Sequence, residues 1–270
     1  MILEFKGRSI YYELHGSGDS LLVLNGVFMS CTSWAAFVPA FSRHNQLILV
    51  DFLDQGRSDK LNTDYNQKVH VETIKALFDH LGLTQASIMG ISYGGEVAMQ
   101  FALAYPERLK KLVLANTTAY TNPWLQDMGR AWEQAISSYD GRQFFKACIP
   151  VVYSPKFYTT NIEWAKRREE LFSNAFGKDT YDAFIRLIRS AEQLDLRSDV
   201  KNISTPTLVL SSEHDYVTPV HDQEFIVREL RQAAHLLIKD AGHAAMYEKP
   251  VEFCSAVLGF VNSEIPPKVI

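Results

Sequence analysis

Short, almost wholly apolar runs recur along the chain, with amphipathic segments between them. Continuous apolar runs are typical of parallel strands that helices cover on both faces. The six runs are Leu21–Leu24, Leu47–Val50, Ser87–Met89, Leu112–Leu114, Thr207–Leu210 and Leu236–Ile238. Between the second and third runs, the apolar residues of segment 70–81 fall on one helical face, and Gly82 follows as a stop. The pattern therefore predicts an α/β domain with a mostly parallel sheet.

The beginning and the middle of the chain depart from this pattern. The first residues alternate in polarity around Gly7, which predicts an antiparallel hairpin at one sheet edge. In the middle of the chain, helical patterns occur without a comparable strand run. We therefore predict an eight-stranded, mostly parallel sheet with helices on both faces, formed by residues 1–119 and 203–270. Residues 120–202 are predicted to form an inserted helical cap, or lid.

The strongest local signal for chemistry is Gly90-Ile91-Ser92-Tyr93-Gly94, which follows an apolar run and precedes a helical pattern. A strand–turn–helix elbow needs small residues at both glycine positions, because the sharp turn brings the backbone against its neighbours. The turn exposes the Ser92 hydroxyl and leaves the Tyr93 N–H at a helix N-terminus, where developing negative charge is favoured. The motif also occurs by chance in loops, but its strand and helix neighbours favour a nucleophilic serine.

A nucleophilic serine needs a base that accepts its proton at neutral pH. Of the eight histidines, His243 directly follows the last apolar run, at the edge where ligands bind in open α/β sheets. His214 and His221 are its competitors. The other histidines lie in or beside regular elements, or near turns far from the last strands, and His70 among them is interpreted as a surface residue.

The base in turn needs a carboxylate that holds its tautomer and stabilises the imidazolium. Asp215 lies just beyond the fifth apolar run, and the chain order Ser–Asp–His accompanies a nucleophile elbow of this kind. Glu213 is the nearest rival, and either residue could be a solvated loop carboxylate. A second oxyanion donor is expected after the first apolar run, where the Val27 N–H of Asn25-Gly26-Val27 is the candidate. By itself this segment would equally indicate a plain turn.

Composition and charge exclude several functional classes. Hydrophobic residues make up 47% of the 270 residues, enough for a large core, and a formal net charge of -4 offers no basic surface for nucleic acid. No apolar run approaches the ~20 residues needed to cross a bilayer, and the N-terminus is predicted to be a strand and not a signal peptide. Three widely spaced cysteines form no zinc or redox pairs, and HExxH is absent. We therefore expect a cytoplasmic monomer or homodimer without metal or other cofactor.

Together these residues resemble the α/β-hydrolase superfamily, in its compact capped branch of esterases, lactonases and C–C hydrolases. Besides the elbow, the resemblance rests on Gly56-Arg57-Ser58, on the acid loop with Asp215 and Pro219, and on Gly242-His243 with Glu248 and Pro250. It runs from Ile2 to Val261 and implies the α/β-hydrolase fold with Ser92, His243 and Asp215 as the catalytic triad. Relatives that cleave carbon–halogen bonds or epoxides carry aspartate at the nucleophile position, so Ser92 argues against both activities.

The chain departs from the family's pattern at three places. The usual His-Gly of the oxyanion loop is Asn25-Gly26, the usual Gly-His after the fourth strand is Asp54-Gln55, and the usual glycine before the acid is Ser212. The first change leaves the backbone donor in place. At the second, aspartate tolerates positive φ better than most residues, so the turn can persist.

These features predict acyl transfer, in which Ser92 attacks an ester, thioester or lactone carbonyl and water then releases the acid. A C–C bond hydrolase is the main alternative; a low-turnover ligand receptor or signalling partner, and a cofactor-free oxygenase or lyase, also stay open. The cap is rich in large apolar side chains, which favour a small hydrophobic substrate. Phe28, Trp124 and Trp132 are the candidates for binding it, and Cys31 is interpreted as a small buried residue.

Overall fold

Eight strands form one sheet in the computed structural model, which describes residues 1–264. The strands are β1 (Ile2–Phe5), β2 (Arg8–His15), β3 (Asp19–Leu24), β4 (Asn45–Val50), β5 (Ala86–Ile91), β6 (Leu109–Ala115), β7 (Thr207–Ser212) and β8 (Ala233–Ile238). Each of the six apolar runs lies within one of the strands β3 to β8, so the predicted eight-stranded sheet is confirmed. The end of the predicted core, residues 265–270, lies outside the described residues.

The strand order is β1-β2-β4-β3-β5-β6-β7-β8. The β1–β2 and β2–β4 pairs are antiparallel, and all other pairs are parallel. The hairpin predicted at one edge is confirmed, and its turn places both Lys6 (φ 50°) and Gly7 (φ 73°) in the left-handed region. Because β3 to β8 run in the same direction, the loops after their carboxyl ends lie at one edge of the sheet.

The central strands are apolar without alternation because both faces of the sheet are covered. Successive side chains of a strand point to opposite faces. Leu22 and Leu24 of β3 belong to one hydrophobic core, whereas Leu21 and Val23 belong to the other. All four side chains are fully buried. The sheet is therefore the middle layer between two cores, as the sequence pattern predicts.

Eleven α-helices lie within residues 1–264, and none of them is long and apolar enough to cross a membrane. They are α1 (Val38–Phe41), α2 (Lys68–His80), α3 (Tyr93–Ala104), α4 (Pro123–Ile136), α5 (Gly141–Cys148), α6 (Pro155–Thr160), α7 (Ile162–Ala175), α8 (Lys178–Ala191), α9 (Val220–Glu229), α10 (Ala245–Glu248) and α11 (Pro250–Val261). Helices α4 to α8 follow one another between β6 and β7. This stretch corresponds to the cap predicted from the sequence, and its separation from the core as a domain stays a prediction.

Helices α5 and α6 were not predicted from the sequence pattern. Both are short, so neither shows a sustained helical periodicity. Each begins with a side-chain cap: Asp140 accepts hydrogen bonds from Arg142 N at 2.8 Å and Gln143 N at 3.3 Å, and Ser154 accepts one from Phe157 N at 3.2 Å. Capping residues of this type mark helix starts when a hydrophobic pattern is too short to do so.

His70 corrects an interpretation made from the sequence, since it is fully buried and not a surface residue. It lies four residues before Ile74 on α2 and therefore shares the apolar face of that helix. Its ring stacks on Phe52 at 4.5 Å and meets Tyr93 edge-on at 5.8 Å. Neither ring nitrogen has a hydrogen-bond partner within residues 1–264. Burial lowers the pKa of His70 to about 3, so the ring is neutral at pH 7.

Candidate active site

The turn between β5 and α3 holds Ser92 in a backbone conformation that few residues adopt. Its φ is 52° and its ψ is -122°, which is strained for a residue with a side chain. The neighbouring glycines make room for this turn. A Cβ at Gly90 would lie 2.3 Å from the Gly94 carbonyl oxygen, and one at Gly94 would lie 2.3 Å from that of Leu24. Ser92 thus lies at a strand–turn–helix elbow in which neither glycine position has space for a side chain.

Hydrogen bonds to both sides of Ser92 hold the backbone of the elbow. Ser92 N donates to the Ala115 carbonyl at 2.9 Å, and the Ser92 carbonyl accepts from Gly95 N at 2.8 Å and from Thr117 Oγ1 at 2.7 Å. Helix α3 begins at Tyr93, so the Tyr93 N–H lies in the first turn, where backbone donors have no partner within the helix. This N–H is therefore suited to stabilising negative charge beside Ser92.

His243 and Asp215 are joined by hydrogen bonding between the imidazole and the carboxylate. His243 Nδ1 lies 3.0 Å from Oδ1 and 2.9 Å from Oδ2 of Asp215. Asp215 follows β7 and His243 follows β8, so the parallel neighbours carry both residues to the same edge of the sheet. Because Nδ1 donates its hydrogen to the carboxylate, Nε2 is left as the proton acceptor of the imidazole.

The Asp215 carboxylate is buried, and several donors surround it. Its partners are Asn116 Nδ2 (2.9 Å), Val217 N (2.9 Å), Thr218 N (2.9 Å) and Thr218 Oγ1 (3.0 Å). Burial alone raises the pKa of Asp215, but the charge of His243 and these hydrogen bonds outweigh it and lower the pKa below its ordinary value. Asp215 is therefore ionised at neutral pH and fixed in one orientation. Sequence reasoning missed Asn116, although it follows β6 at the same edge of the sheet as the other site residues.

The rival candidates lie away from this pair. Glu213 accepts a hydrogen bond from Asp240 N at 2.9 Å, and its side chain is 43% exposed. The His214 side chain is half-buried, and His221 is 73% exposed with its Nε2 3.1 Å from Asp222 Oδ1. Of the two candidate carboxylates, the structure brings Asp215 to His243 and leaves Glu213 outside this pair.

One group of side chains could in principle hold a metal ion. In the described part of the chain, the ligand atoms of Glu213, His214 and Asp240 lie within 4.8 Å of one another. Both carboxylates are exposed, and Lys156 Nζ lies 3.6 Å from Asp240 Oδ1, where it already balances charge. Exposed groups of this kind do not identify a metal centre, and none is assigned.

Ser92 and His243 both line a cavity of about 490 Å³, here called the chamber. It lies between the loops at the carboxyl edge of the sheet and helices α4, α7 and α10. Its apolar wall includes Phe28, Met29, Trp132, Ile149, Val152, Phe172, Phe176 and Met246. No hydrogen bond between Ser92 Oγ and His243 forms within the described residues, and such bonds commonly tighten only when substrate binds. The chamber has the size and apolar character of a small-molecule site.

Two of the three residues predicted to bind substrate line the chamber. The Phe28 and Trp132 rings are 5.5 Å apart, and both face this space. Trp124 is different: it is 61% exposed, and its indole N–H donates to the Tyr216 carbonyl at 3.3 Å. Leu125 and Trp132, seven residues apart, define the inward face of α4, and Trp124 lies off that face. The structure therefore does not bring Trp124 to the site.

Two departures from the family pattern hydrogen-bond each other beside the oxyanion loop. Asn25 Nδ2 donates to Gln55 Oε1 at 3.2 Å, and Gln55 Nε2 donates to the Gly26 carbonyl at 2.9 Å. The Gly26 carbonyl and the Val27 N–H belong to one planar peptide group, so fixing the carbonyl fixes the direction of the N–H. Asn25 is itself held by Trp34 Nε1, which donates to its Oδ1 at 2.8 Å. Sequence reasoning did not assign Gln55 a role, although Asn25 and Gln55 both replace residues that are usual in the family.

The residue before Gln55 links the sheet edge to the inserted helices. Asp54 has a φ of 70°, so the turn persists with aspartate in the usual glycine position. Its carboxylate is fully buried and accepts hydrogen bonds from Arg186 of α8, at 3.0 Å from Nε and 2.7 Å from Nη2. A paired carboxylate is the form in which a buried charge is tolerated.

Glu248 makes a similar link at the histidine loop. Its Oε1 accepts from Gly242 N at 3.0 Å and from Ser154 N at 2.8 Å, and its Oε2 accepts from Ser154 Oγ at 2.5 Å. The loop that carries His243 is therefore tied to the N-terminus of α6. The sequence signalled Glu248 only as part of the family resemblance.

Comparison with known proteins agrees with the class that the sheet and the site define. Residues 19–250 match the α/β hydrolase fold family, and the chain belongs to that family. It is similar to MGS-M2, an α/β hydrolase enzyme from a Medee basin deep-sea metagenome library, with 41% identity, a TM-score of 0.97 and complete coverage of both chains. The resemblance drawn from the motifs is thus confirmed, and the chain is an enzyme of this fold.

Two further proteins are less similar. A hydrolase from Pseudomonas aeruginosa PA01 is 26% identical, with a TM-score of 0.85 and coverage of 97% of this chain and 98% of that one. The 3-oxoadipate enol-lactonase 1 of Acinetobacter baylyi is 23% identical, and the match covers 97% of each chain.

Proposed function

We propose that the protein is a serine hydrolase in which Ser92, His243 and Asp215 act as a catalytic triad on an ester, thioester or lactone of a small hydrophobic substrate. The observation that carries this proposal is the contact of His243 Nδ1 with both Asp215 oxygens, at 3.0 and 2.9 Å, beside a chamber that Ser92 also lines. A carboxylate that binds Nδ1 leaves Nε2 to accept a proton from the serine.

The proposed reaction has two halves. Ser92 Oγ attacks the carbonyl carbon while His243 takes the hydroxyl proton, and the bond to the leaving oxygen or sulfur then breaks as His243 protonates that atom. In the second half, His243 accepts a proton from water, the hydroxide attacks the acyl carbon, and the proton returns to Ser92 Oγ as the acid leaves. The Val27 and Tyr93 N–H groups stabilise the oxyanion in both halves. Asp215, whose pKa is lowered, stays ionised and stabilises the imidazolium.

The choice of substrate class has two supports. The chamber walls are mostly apolar, which favours a hydrophobic ligand with few polar groups. Membership of the α/β hydrolase fold family and the similarity to an enol-lactonase favour hydrolysis at a carbonyl carbon, with a lactone among the candidate substrates.

Covalent labelling of the protein with a fluorophosphonate tests the nucleophile. We expect one adduct per chain in the wild type and none in Ser92→Ala, because the probe reacts with a serine that an adjacent base activates. Ser138→Ala, which removes an exposed hydroxyl at the end of α4, is the matched control and should label fully. Labelling of Ser92→Ala at full stoichiometry would contradict the proposal.

The same variants separate ester cleavage from the alternatives. Rapid quenching and mass spectrometry of the wild type with an aryl ester should trap an acyl group on Ser92. An oxygenase, a lyase or a receptor would show fluorophosphonate reactivity without a productive acyl-enzyme. A C–C hydrolase would instead turn over a substrate that has no ester, thioester or lactone bond, and turnover of that kind alone would replace the ester proposal.

A further inference from the structure

Ser92 lies between two cavities. Besides the chamber, a second cavity of about 70 Å³ reaches the serine, and Val27, Trp132 and Val217 line both spaces with it. The remaining residues of the small cavity come mainly from α3, α4 and α8. They are Tyr93, Glu96, Thr121, Leu125, Gly129, Ile188, Ala191 and Thr218. A substrate whose carbonyl carbon lies at Ser92 can therefore extend in two directions.

The position of His243 distinguishes the two directions. His243 lines the chamber and is not among the residues that line the small cavity within the described chain. In acyl transfer, the base must reach the leaving atom in order to protonate it. The leaving group therefore extends into the chamber, and the acyl group extends away from His243.

We propose that the small cavity is the acyl-binding pocket of the enzyme, that it accepts short acyl groups, and that Gly129 and Ile188 set their maximum length. The bulkier, apolar leaving group lies in the chamber. This inference rests on the proposed function, since it assumes that Ser92 is acylated.

The size of the pocket sets the length. At about 70 Å³ the cavity is much smaller than the chamber of about 490 Å³, so it has room for a short acyl chain such as acetyl to butyryl and the chamber has room for the larger leaving group. At the far end, a Cβ added at Gly129 would lie 3.2 Å from Ile188 Cγ2, so α4 and α8 approach closely there.

A third, outer pocket of about 40 Å³ continues beyond this narrow point. It shares Thr121, Leu125, Gly129 and Ile188 with the acyl pocket. Its other residues are largely charged and reach solvent: Gln126, Arg130, Glu133, Arg189 and Glu192. A longer acyl chain would have to pass between Gly129 and Ile188 and then lie among these charges, which opposes its binding.

Glu96 leaves the acyl pocket without a charge. Its carboxyl group is buried and accepts a hydrogen bond from Gln67 Nε2 at 2.6 Å. Burial raises the pKa of Glu96 to about 8, so the group is mostly neutral at pH 7. A neutral carboxyl at one wall is compatible with an apolar acyl chain, whereas a carboxylate would oppose it.

A series of 1-naphthyl esters with acyl groups from acetyl to octanoyl tests this proposal, because the leaving group stays constant. For the wild type, kcat/KM should be highest between acetyl and butyryl. At octanoyl it should be at least roughly tenfold lower than at this maximum. Gly129→Leu should shift the preference towards acetyl, and Ile188→Ala should shift it towards hexanoyl and octanoyl. Gly259→Leu adds the same side chain on α11, where a Cβ meets nothing within 4 Å, and should keep the wild-type profile.

The two substitutions move the preference in opposite directions, so a loss of folding in one variant leaves the other as a test. A chain-length profile that Gly129→Leu and Ile188→Ala both leave unchanged would overturn the assignment of the acyl pocket, provided that Ser92 still forms an acyl-enzyme. Absence of an acyl-enzyme with every ester would instead overturn the proposed function. The two failures are therefore distinguishable.

Discussion

At the scale of single residues, the site depends on side chains that act through others. Gln55 holds the Gly26 carbonyl at 2.9 Å and so orients the peptide that carries the Val27 N–H. It is absent from the residues that line the chamber and the acyl pocket, within the part of the chain that the structure describes. Its contribution should therefore appear in the transition state, where the oxyanion forms, and not in substrate binding.

Gln55→Leu should lower kcat roughly tenfold and change KM little, since loss of a whole oxyanion donor costs roughly 10²–10³-fold in other hydrolases. Inhibition by a trifluoromethyl ketone, which forms an oxyanion on the serine, should weaken in parallel. Gln55→His, the residue usual in the family, should recover part of the loss. Gln85→Leu is the matched control, because that exposed glutamine also donates to a carbonyl, of Glu107 at 2.8 Å. A rise in KM with an unchanged kcat would exclude a positioning role.

At the scale of elements, α2 carries a buried histidine whose charge the fold opposes. Between pH 6.5 and pH 3, the unfolded chain binds a proton at His70 and the folded chain does not, because burial holds the folded pKa at about 3. The stability that depends on neutral His70 is complete above pH 6.5 and is lost as the pH falls below it. Each pH unit in this window removes at most about 1.4 kcal/mol.

His70→Phe should remove this dependence. The difference in free energy of unfolding between the variant and the wild type should grow by roughly 2 kcal/mol in the variant's favour from pH 7.5 to pH 5.0. Urea denaturation of both proteins at pH 7.5 and at pH 5.0 measures these free energies of unfolding. His44→Gln, at an exposed histidine before β4, is the control. It should show the same change in free energy of unfolding between pH 7.5 and pH 5.0 as the wild type. If the free energy of unfolding depends on pH equally in the wild type and in His70→Phe, the folded chain takes up a proton at His70 over the same pH range as the unfolded chain. That result would contradict the lowered pKa of the buried ring.

The elements also show what the sequence could and could not specify. The strands β3 to β7 were predictable because burial on both faces leaves an apolar run that no other element explains at that length. The run in β8 was predictable from its composition, although Leu236 and Leu237 are 39% exposed at the sheet edge. The burial of His70 was not, because its polar ring interrupts the apolar face that Val71, Ile74 and Leu77 otherwise define. Trp124 was misplaced because composition alone does not indicate on which side of α4 a large apolar residue lies.

At the scale of the whole molecule, the site is assembled from loops that follow five different strands. Ser92 follows β5, Asn116 follows β6, Asp215 follows β7, His243 follows β8, and Val27 follows β3. Chain order and strand ends were enough to predict four of these five positions. Asn116 and Gln55 required coordinates, because an amide in a loop carries no sequence pattern that distinguishes a hydrogen bond to the site from an exposed turn.

The inserted helices are connected to this edge by polar contacts as well as by apolar packing. The Asp54–Arg186 ion pair joins α8 to the turn that carries Gln55, and Glu248 joins the histidine loop to Ser154. Both contacts lie beside the groups proposed to stabilise the oxyanion and to transfer the proton. Helix α8, which forms one wall of the acyl pocket, is thereby tied to the turn beside the oxyanion loop, and α6 is tied to the loop that carries His243.

The most direct test of the central claim is a double-mutant cycle on ester hydrolysis with His243→Ala and Asp215→Asn. If the carboxylate acts only through the imidazole, each single variant should lower kcat by roughly 10³-fold or more, and the double variant should be no slower than His243→Ala. Independent effects, in which the two losses multiply in the double variant, would contradict a triad at this edge of the sheet.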